Sequence, residues 1–178
     1  SFPGANLSLT HAFSETLTGT VSAGPSFVSS TTQTAGGNIK AQSTVWLFSG
    51  NLRKKFERTT VQVSASRNIV PSGIGLLIQT DRAGLTVSHD LSETLTVPVD
   101  GSGYITTSIT QRTTGVTFPE QRYYSATPLI AWKFSDWWKA ELSYTYGRRE
   151  VDGFSDAAMS NATMFMLTYY PPKFSFSY

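Results

Sequence analysis

From Trp138 to Arg149 the side chains alternate without a break. Trp138, Ala140, Leu142, Tyr144 and Tyr146 share one parity; Lys139, Glu141, Ser143, Thr145, Gly147 and Arg149 share the other. A period of two residues belongs to a β-strand whose faces meet different environments. The same pattern recurs along the whole chain, and it predicts nine strands.

The first predicted strand covers about 5–13, with Leu7, Leu9, His11 and Phe13. The second sets Leu17, Gly19, Val21, Ala23, Pro25 and Phe27 against Thr18, Thr20, Ser22, Gly24 and Ser26. The third opposes Trp46, Phe48, Gly50, Leu52 and Phe56 to Ser49, Asn51, Arg53 and Lys55, and the fourth Val61, Val63 and Ala65 to Thr60, Gln62, Ser64 and Ser66. The fifth opposes Ala83, Leu85 and Val87 to Arg82, Gly84, Thr86, Ser88 and Asp90. In the sixth, Leu95, Val97 and Val99 alternate, but Pro98 and Asp100-Gly101-Ser102-Gly103 predict a bulge or break. The seventh puts Ala126, Pro128, Ile130, Trp132 and Phe134 opposite Ser125, Thr127, Leu129, Ala131 and Lys133. The ninth covers about 161–170. Loops are expected at 29–41, 68–76, 111–121 and 151–160.

A phrase repeats at the short connections. Ser14-Glu15-Thr16-Leu17-Thr18 returns as Ser92-Glu93-Thr94-Leu95-Thr96, with variants at Phe56-Glu57-Arg58-Thr59-Thr60-Val61 and Phe134-Ser135-Asp136-Trp137-Trp138. The connections alternate short and long, and aromatics (Phe13, Phe56, Phe134, Trp137, Trp138) gather at the short ones. Transmembrane barrels have tight periplasmic turns, longer outer loops and aromatic girdles at the interfaces. The predicted fold is therefore all-β, an antiparallel transmembrane β-barrel forming a single domain over 1–178.

Composition separates this reading from a soluble sandwich. Charged residues make up 15% of the 178 residues and aromatics 13%, where soluble domains carry about a quarter charged. The second face of a sandwich meets water and carries Lys, Glu and Asp; here it carries mostly Ser, Thr and Gly. There is no cysteine, which removes disulfides and thiolate ligands. A net charge of +2 without a basic-aromatic run argues against nucleic acid. Residues 1–20 lack a basic start followed by an apolar run, so a mature chain or a fragment is expected.

Strand parity sharpens that expectation. If the first strand runs toward the periplasm, so does the ninth, and the start of the chain lies outside. Single-chain bacterial barrels have an even number of strands. The expectation is the C-terminal part of a larger barrel lacking upstream strands.

The Phe-Ser-Glu-Thr-Leu-Thr turns, the segment Arg67-Asn68-Ile69-Val70-Pro71-Ser72-Gly73-Ile74-Gly75, the following Thr80-Asp81-Arg82 and the aromatic C-terminus resemble outer-membrane barrels found with exopolysaccharide biosynthesis and export systems. The resemblance implies a Gram-negative outer-membrane location and a conduit or surface role. It also implies an assembly signal at Phe174, Phe176 and Tyr178, read by the barrel-assembly machinery, with Pro171-Pro172 departing from an unbroken last strand.

Arg53, Lys55, Arg82, Asp90, Lys133, Lys139, Glu141 and Arg149 all fall on the Ser/Thr parity. A charge facing lipid at mid-depth costs roughly 2–4 kcal/mol, so these residues are expected to line the lumen. There they either pair to stiffen the wall or bias a polar conduit. Pro71-Ser72-Gly73-Ile74-Gly75 reads as a rigid outer turn. Ser88, His89 and Asp90 are strand neighbours pointing to opposite faces, so no triad forms, and no metal cluster or cofactor is called for. The expected function is a passive porin-like conduit linked to exopolysaccharide export. Its partners would be the lipid bilayer, the barrel-assembly machinery, polysaccharide and periplasmic export components. The alternatives are a structural or adhesive barrel whose outer loops bind a partner, and the barrel part of an outer-membrane enzyme.

Overall fold

The computed structural model describes residues 5–34, 37–71, 77–108 and 119–171. The strands are β1 (Leu7–Ser14), β2 (Leu17–Thr34), β3 (Gly37–Lys55), β4 (Thr59–Pro71), β5 (Leu77–Asp90), β6 (Leu95–Ser108), β7 (Gln121–Lys133), β8 (Trp138–Val151) and β9 (Ala158–Tyr169). Each pairs antiparallel with its sequence neighbours in one nine-stranded sheet of order β1 to β9. The sheet is not closed, and β1 and β9 are its edges.

One layer means no core. Among the described residues Leu77 is the buried apolar side chain, at 6% exposure, and no large side chain is fully buried. The accessible surface is 12952 Å² for a 19.5 kDa chain. A compact soluble chain of that mass exposes roughly 8,500 Å². Much of what is exposed is large and apolar: Leu9, Val21, Trp46, Leu52, Val63, Leu85, Ile130, Leu142 and Phe165 all lie open on one face. Water would penalise such a band across nine strands, whereas lipid matches it. A sandwich would have covered that face with a second sheet.

The repeated phrase is a structural unit. Ser14 Oγ accepts hydrogen bonds from the N–H of Thr16 (3.3 Å) and Leu17 (3.1 Å). Ser92 Oγ does the same for Thr94 and Leu95, at 3.3 and 3.1 Å. Ser135 Oγ repeats it for Trp137 and Trp138 at the same two distances. Serine thus supplies the acceptor that a tight turn leaves missing. Each turn is also tied to the next hairpin. The carbonyls of Thr16, Arg58, Thr94 and Trp137 accept from the N–H of Lys55, Asp90, Lys133 and Tyr170, at 2.8, 2.8, 2.8 and 2.7 Å. The short turns therefore form one bonded rim.

Three expectations are corrected. The loop at 29–41 is strand on both sides: β2 runs to Thr34 and β3 starts at Gly37, with Thr31 opposite Lys40 and Thr32 opposite Ile39. Thr31, Thr32, Thr34 and Ile39 favour extended backbone, and the segment has no alternating apolar pattern that would have marked it as strand. The loops expected at 68–76 and 151–160 leave shorter gaps between strands, because β4 reaches Pro71, β5 begins at Leu77, β8 reaches Val151 and β9 begins at Ala158. Most of the loop expected at 111–121 lies outside the described residues. Residues 72–75 of the expected rigid outer turn lie outside the described residues.

No bulge interrupts β6. Its register with β5 runs unshifted from Ser108 to Thr96. Against β7 the pairs Thr96↔Ala131 and Val99↔Pro128 keep one offset across a gap. Pro98 has no N–H to give, so one rung is lost while the register holds. The bulge lies instead in β1, between Ala12 and Ser14, at Phe13.

Candidate functional site

Strand pairing sorts the charged residues onto faces. Arg53 lies opposite Thr18 and Gln62, Lys55 opposite Thr60, and Arg82 opposite Ser66 and Tyr104. Asp90 faces Thr96, Lys133 faces Lys139, Glu141 faces Ala131, and Arg149 faces Tyr123. All eight stand on the face that carries Ser22, Ser49, Ser102, Ser125, Thr127 and Thr145. That face is stitched by hydroxyl pairs: Ser22–Ser49 (2.7 Å), Ser102–Ser125 (2.8 Å) and Thr127–Thr145 (3.1 Å).

The charges are not in one cluster. Near the short turns they neutralise one another. Lys139 Nζ is 2.8 Å from Glu141 and Lys133 Nζ is 3.0 Å from Asp136. Asp90 and Asp100 accept from the hydroxyls of Thr96 (2.8 Å) and Thr86 (2.6 Å). Arg53 and Lys55 have no carboxylate partner among the described residues.

Toward the long-loop end a second arrangement appears, and the sequence reading did not find its centre. Arg82, Tyr104, Tyr123 and Arg149 are register partners on β5, β6, β7 and β8, one per strand. The two tyrosine rings stack, with centroids 5.1 Å apart and planes 27° apart. The Arg82 guanidinium lies 5.7 Å from the Tyr104 centroid, within cation–π range. Arg149 Nη2 donates to Gln121 Oε1 at 2.7 Å. Neither arginine has a carboxylate partner among the described residues. The missed signal was an aromatic on the polar parity, Tyr104 between Ser102 and Thr106 and Tyr123 between Gln121 and Ser125.

The apolar face shows the opposite rule. Among the described residues its arginines near the long loops are paired: Arg67 with Asp81 (2.5 Å), Arg122 with Glu120 (2.7 Å) and Arg148 with Glu150 (2.7 Å). The last two pairs line a cleft of about 300 Å³ beside Phe154. Both histidines are on this face near the short turns. His11 packs edge-on against Phe13 at 4.7 Å, and His89 Nδ1 is 2.8 Å from Thr59 Oγ1. With Ser88 and Asp90 across the sheet from His89, no triad forms there. No three-residue metal-ligand group occurs among the described residues. Phe174, Phe176 and Tyr178 lie outside the described residues.

An antiparallel meander with one apolar and one hydroxyl-rich face, tight turns along one rim and no core has the fold of an outer-membrane β-barrel wall. Solved structures of OmpT, an outer membrane protein of Vibrio cholerae, share this fold. Its loop L8 deletion mutant, its outer-membrane expressed form and its in-vitro folded form match with TM-scores of 0.60, 0.59 and 0.60 at 12% identity. The matches cover 95% of this chain and 54%, 56% and 56% of those chains, so it spans about half the length of the structures it matches. No family model matches the chain, and no curated protein matches its sequence.

Proposed function

We propose that this chain forms part of the wall of a passive, porin-like conduit in the outer membrane of a Gram-negative bacterium, and that it performs no chemistry. The observation that carries this reading is the polar face. It bears hydroxyl pairs and basic side chains rather than the packed apolar residues that would plug a lumen. Arg53, Lys55, Arg82 and Arg149, without carboxylate partners among the described residues, bias such a lumen toward anions. Asp90, Lys133, Lys139 and Glu141 line it nearer the short-turn rim as neutralised or hydroxyl-held groups. The sheet edges at β1 and β9 need hydrogen-bond partners in lipid, and further strands of a larger, even-stranded barrel would supply them. The proposed link to exopolysaccharide export rests on the sequence resemblance.

The test is planar-bilayer recording of the intact protein under a potassium chloride gradient. Conductance with a reversal potential favouring chloride is expected, and absence of conductance overturns the reading. A second reading, a surface-binding barrel, is favoured by one observation. β2 and β3 have 18 and 19 residues, where about 10 cross a bilayer, so their hairpin stands well clear of the membrane. Intact cells that lose partner binding when 29–41 is shortened, with conductance unchanged, would support it.

A further inference from the structure

We infer that the row Arg82–Tyr104–Tyr123–Arg149 is a binding subsite for an oxyanion-bearing, hydroxyl-rich solute, an acidic saccharide, at the outer mouth of the lumen. The inference deepens the conduit reading and rests on it.

The row is placed by register rather than by loop geometry. Arg82 is eight residues from the short-turn end of β5 at Asp90, and Arg149 is eleven from the start of β8 at Trp138. At about 3.3 Å per residue and a tilt near 45°, that is roughly 20–25 Å above the short-turn rim. The row thus lies within five residues of the long-loop ends of β5 to β8. Four adjacent strands at about 4.8 Å spacing set the two arginine backbones roughly 14 Å apart. Two acidic groups on one elongated solute can therefore engage both ends together.

The chemistry of the row selects the ligand class. Guanidinium groups match carboxylate and phosphate oxygens with paired N–H donors. Among the described residues no acid neutralises either arginine, in contrast to every arginine pair on the opposite face. Tyr104 and Tyr123 stack on each other, with Arg82 against Tyr104. Their rings are thereby held rigid, and their hydroxyls add donors and acceptors between the two charges. The Ser102–Ser125 pair directly below continues that hydroxyl surface toward the short-turn rim. A neutral sugar would gain the hydroxyls without the charge, and a bare anion the charge without the hydroxyls.

Room for the row is built in. A Cβ on Gly147 would stand 2.9 Å from the Tyr123 hydroxyl, so the absent side chain gives that hydroxyl its place. Gln121 holds the Arg149 guanidinium through one nitrogen and leaves its other donors available.

The experiment uses the intact protein in planar bilayers, with trigalacturonate as probe and maltotriose as neutral control. Trigalacturonate is expected to block the current and maltotriose not. The double variant Arg82→Gln/Arg149→Gln is expected to weaken the block at least about tenfold, the loss of one charge-assisted hydrogen bond. Arg122→Gln, which removes the same kind of charge from the opposite face, is expected to leave it unchanged. An equal block in the double variant, or an equal block by maltotriose, overturns the inference while leaving the conduit standing. If the protein conducts nothing, the conduit reading fails. Calorimetric titration of trigalacturonate into the detergent-solubilised protein then decides the subsite alone. Binding lost in the double variant supports it, and no binding to the wild type overturns it. Heat-shifted electrophoretic mobility checks that each variant is folded.

Discussion

Ser92 Oγ lies 3.1 Å from the backbone nitrogen of Leu95, the separation that Ser14 Oγ keeps from Leu17, 78 positions earlier in the chain. Two sites with the same residues at the same distances identify serine as the acceptor that closes these turns. The Glu between Ser and Thr makes no comparable bond at either site among the described residues. This is why Ser135-Asp136-Trp137-Trp138 reproduces the geometry with a different sequence.

Removing one acceptor should therefore cost the net value of an intramolecular hydrogen bond. Ser14→Ala and Ser92→Ala are each expected to lower stability by about 0.5–1.5 kcal/mol. The turns are separated by several strands, so the two losses should add within about 0.5 kcal/mol. Urea titration of the refolded protein in lipid vesicles measures both. Glu93→Ala, by contrast, should change little. A Glu93→Ala loss as large as that of Ser92→Ala would refute the assignment.

The two faces should respond to charge in opposite ways. Leu85 lies open on the apolar face between Ala83 and Val87, and Gln62 stands on the polar face among threonines and serines. Leu85→Arg is expected to destabilise by about 2–4 kcal/mol, the cost of arginine near the bilayer midplane. Gln62→Glu, which sets a carboxylate directly across from Arg53, should change stability by no more than about 1 kcal/mol. Equilibrium unfolding from vesicles compares them directly. Similar costs at both positions would mean that the apolar face does not meet lipid.

Much of this architecture was legible because a period of two residues is unambiguous when one face is lipid and the other a hydroxyl surface. The parity of Trp138–Arg149 fixed both faces of β8, and the strand pairing carries that assignment across to β1. The paired arginines of the apolar face were less legible. Arg67 and Asp81 break the apolar parity, and nothing in either strand alone says that they meet. Their pairing needs the β4–β5 register. The stacked tyrosines were hidden for the same reason, since Tyr104 and Tyr123 lie on different strands and come together only through register. The strand ends up to Thr34 and from Gly37 were missed because 29–41 has no apolar alternation, and its Ser/Thr/Gly/Asn composition reads as loop.

The Arg67–Asp81 pair also makes a measurable prediction. Arg67 Nη2 donates to the second Asp81 oxygen at 2.9 Å, Gln79 donates to that same oxygen at 2.8 Å, and Arg67 lies over Phe48. Both side chains are about a third exposed, so the pair is screened rather than buried. A double-mutant cycle of Arg67→Met with Asp81→Asn should give a coupling of roughly 0.2–1 kcal/mol in dilute salt. It should fade in about 1 M salt, where the screening length is near 3 Å. A coupling several times larger and indifferent to salt would place the pair within the hydrocarbon rather than at its outer boundary.

Gly147 joins the sheet to the tyrosine row, so it tests whether that row is a rigid unit. A Cβ there would lie 2.6 Å from Ser160 Oγ and 2.9 Å from the Tyr123 hydroxyl. The Ser160 hydroxyl can rotate away. Tyr123 cannot do so easily, because its ring is stacked on Tyr104 and that ring lies against Arg82. Gly147→Val, larger still, is expected to destabilise by about 1–3 kcal/mol through overpacking and to tilt the Tyr123 ring off its partner. The tyrosine signal in near-ultraviolet circular dichroism should weaken, as it should in Tyr104→Leu. Tyr123→Ala would vacate the space, so Gly147→Val added to Tyr123→Ala should cost less than Gly147→Val alone. Equal costs in the two backgrounds would show that Gly147 is there for Ser160 and the β9 strand instead.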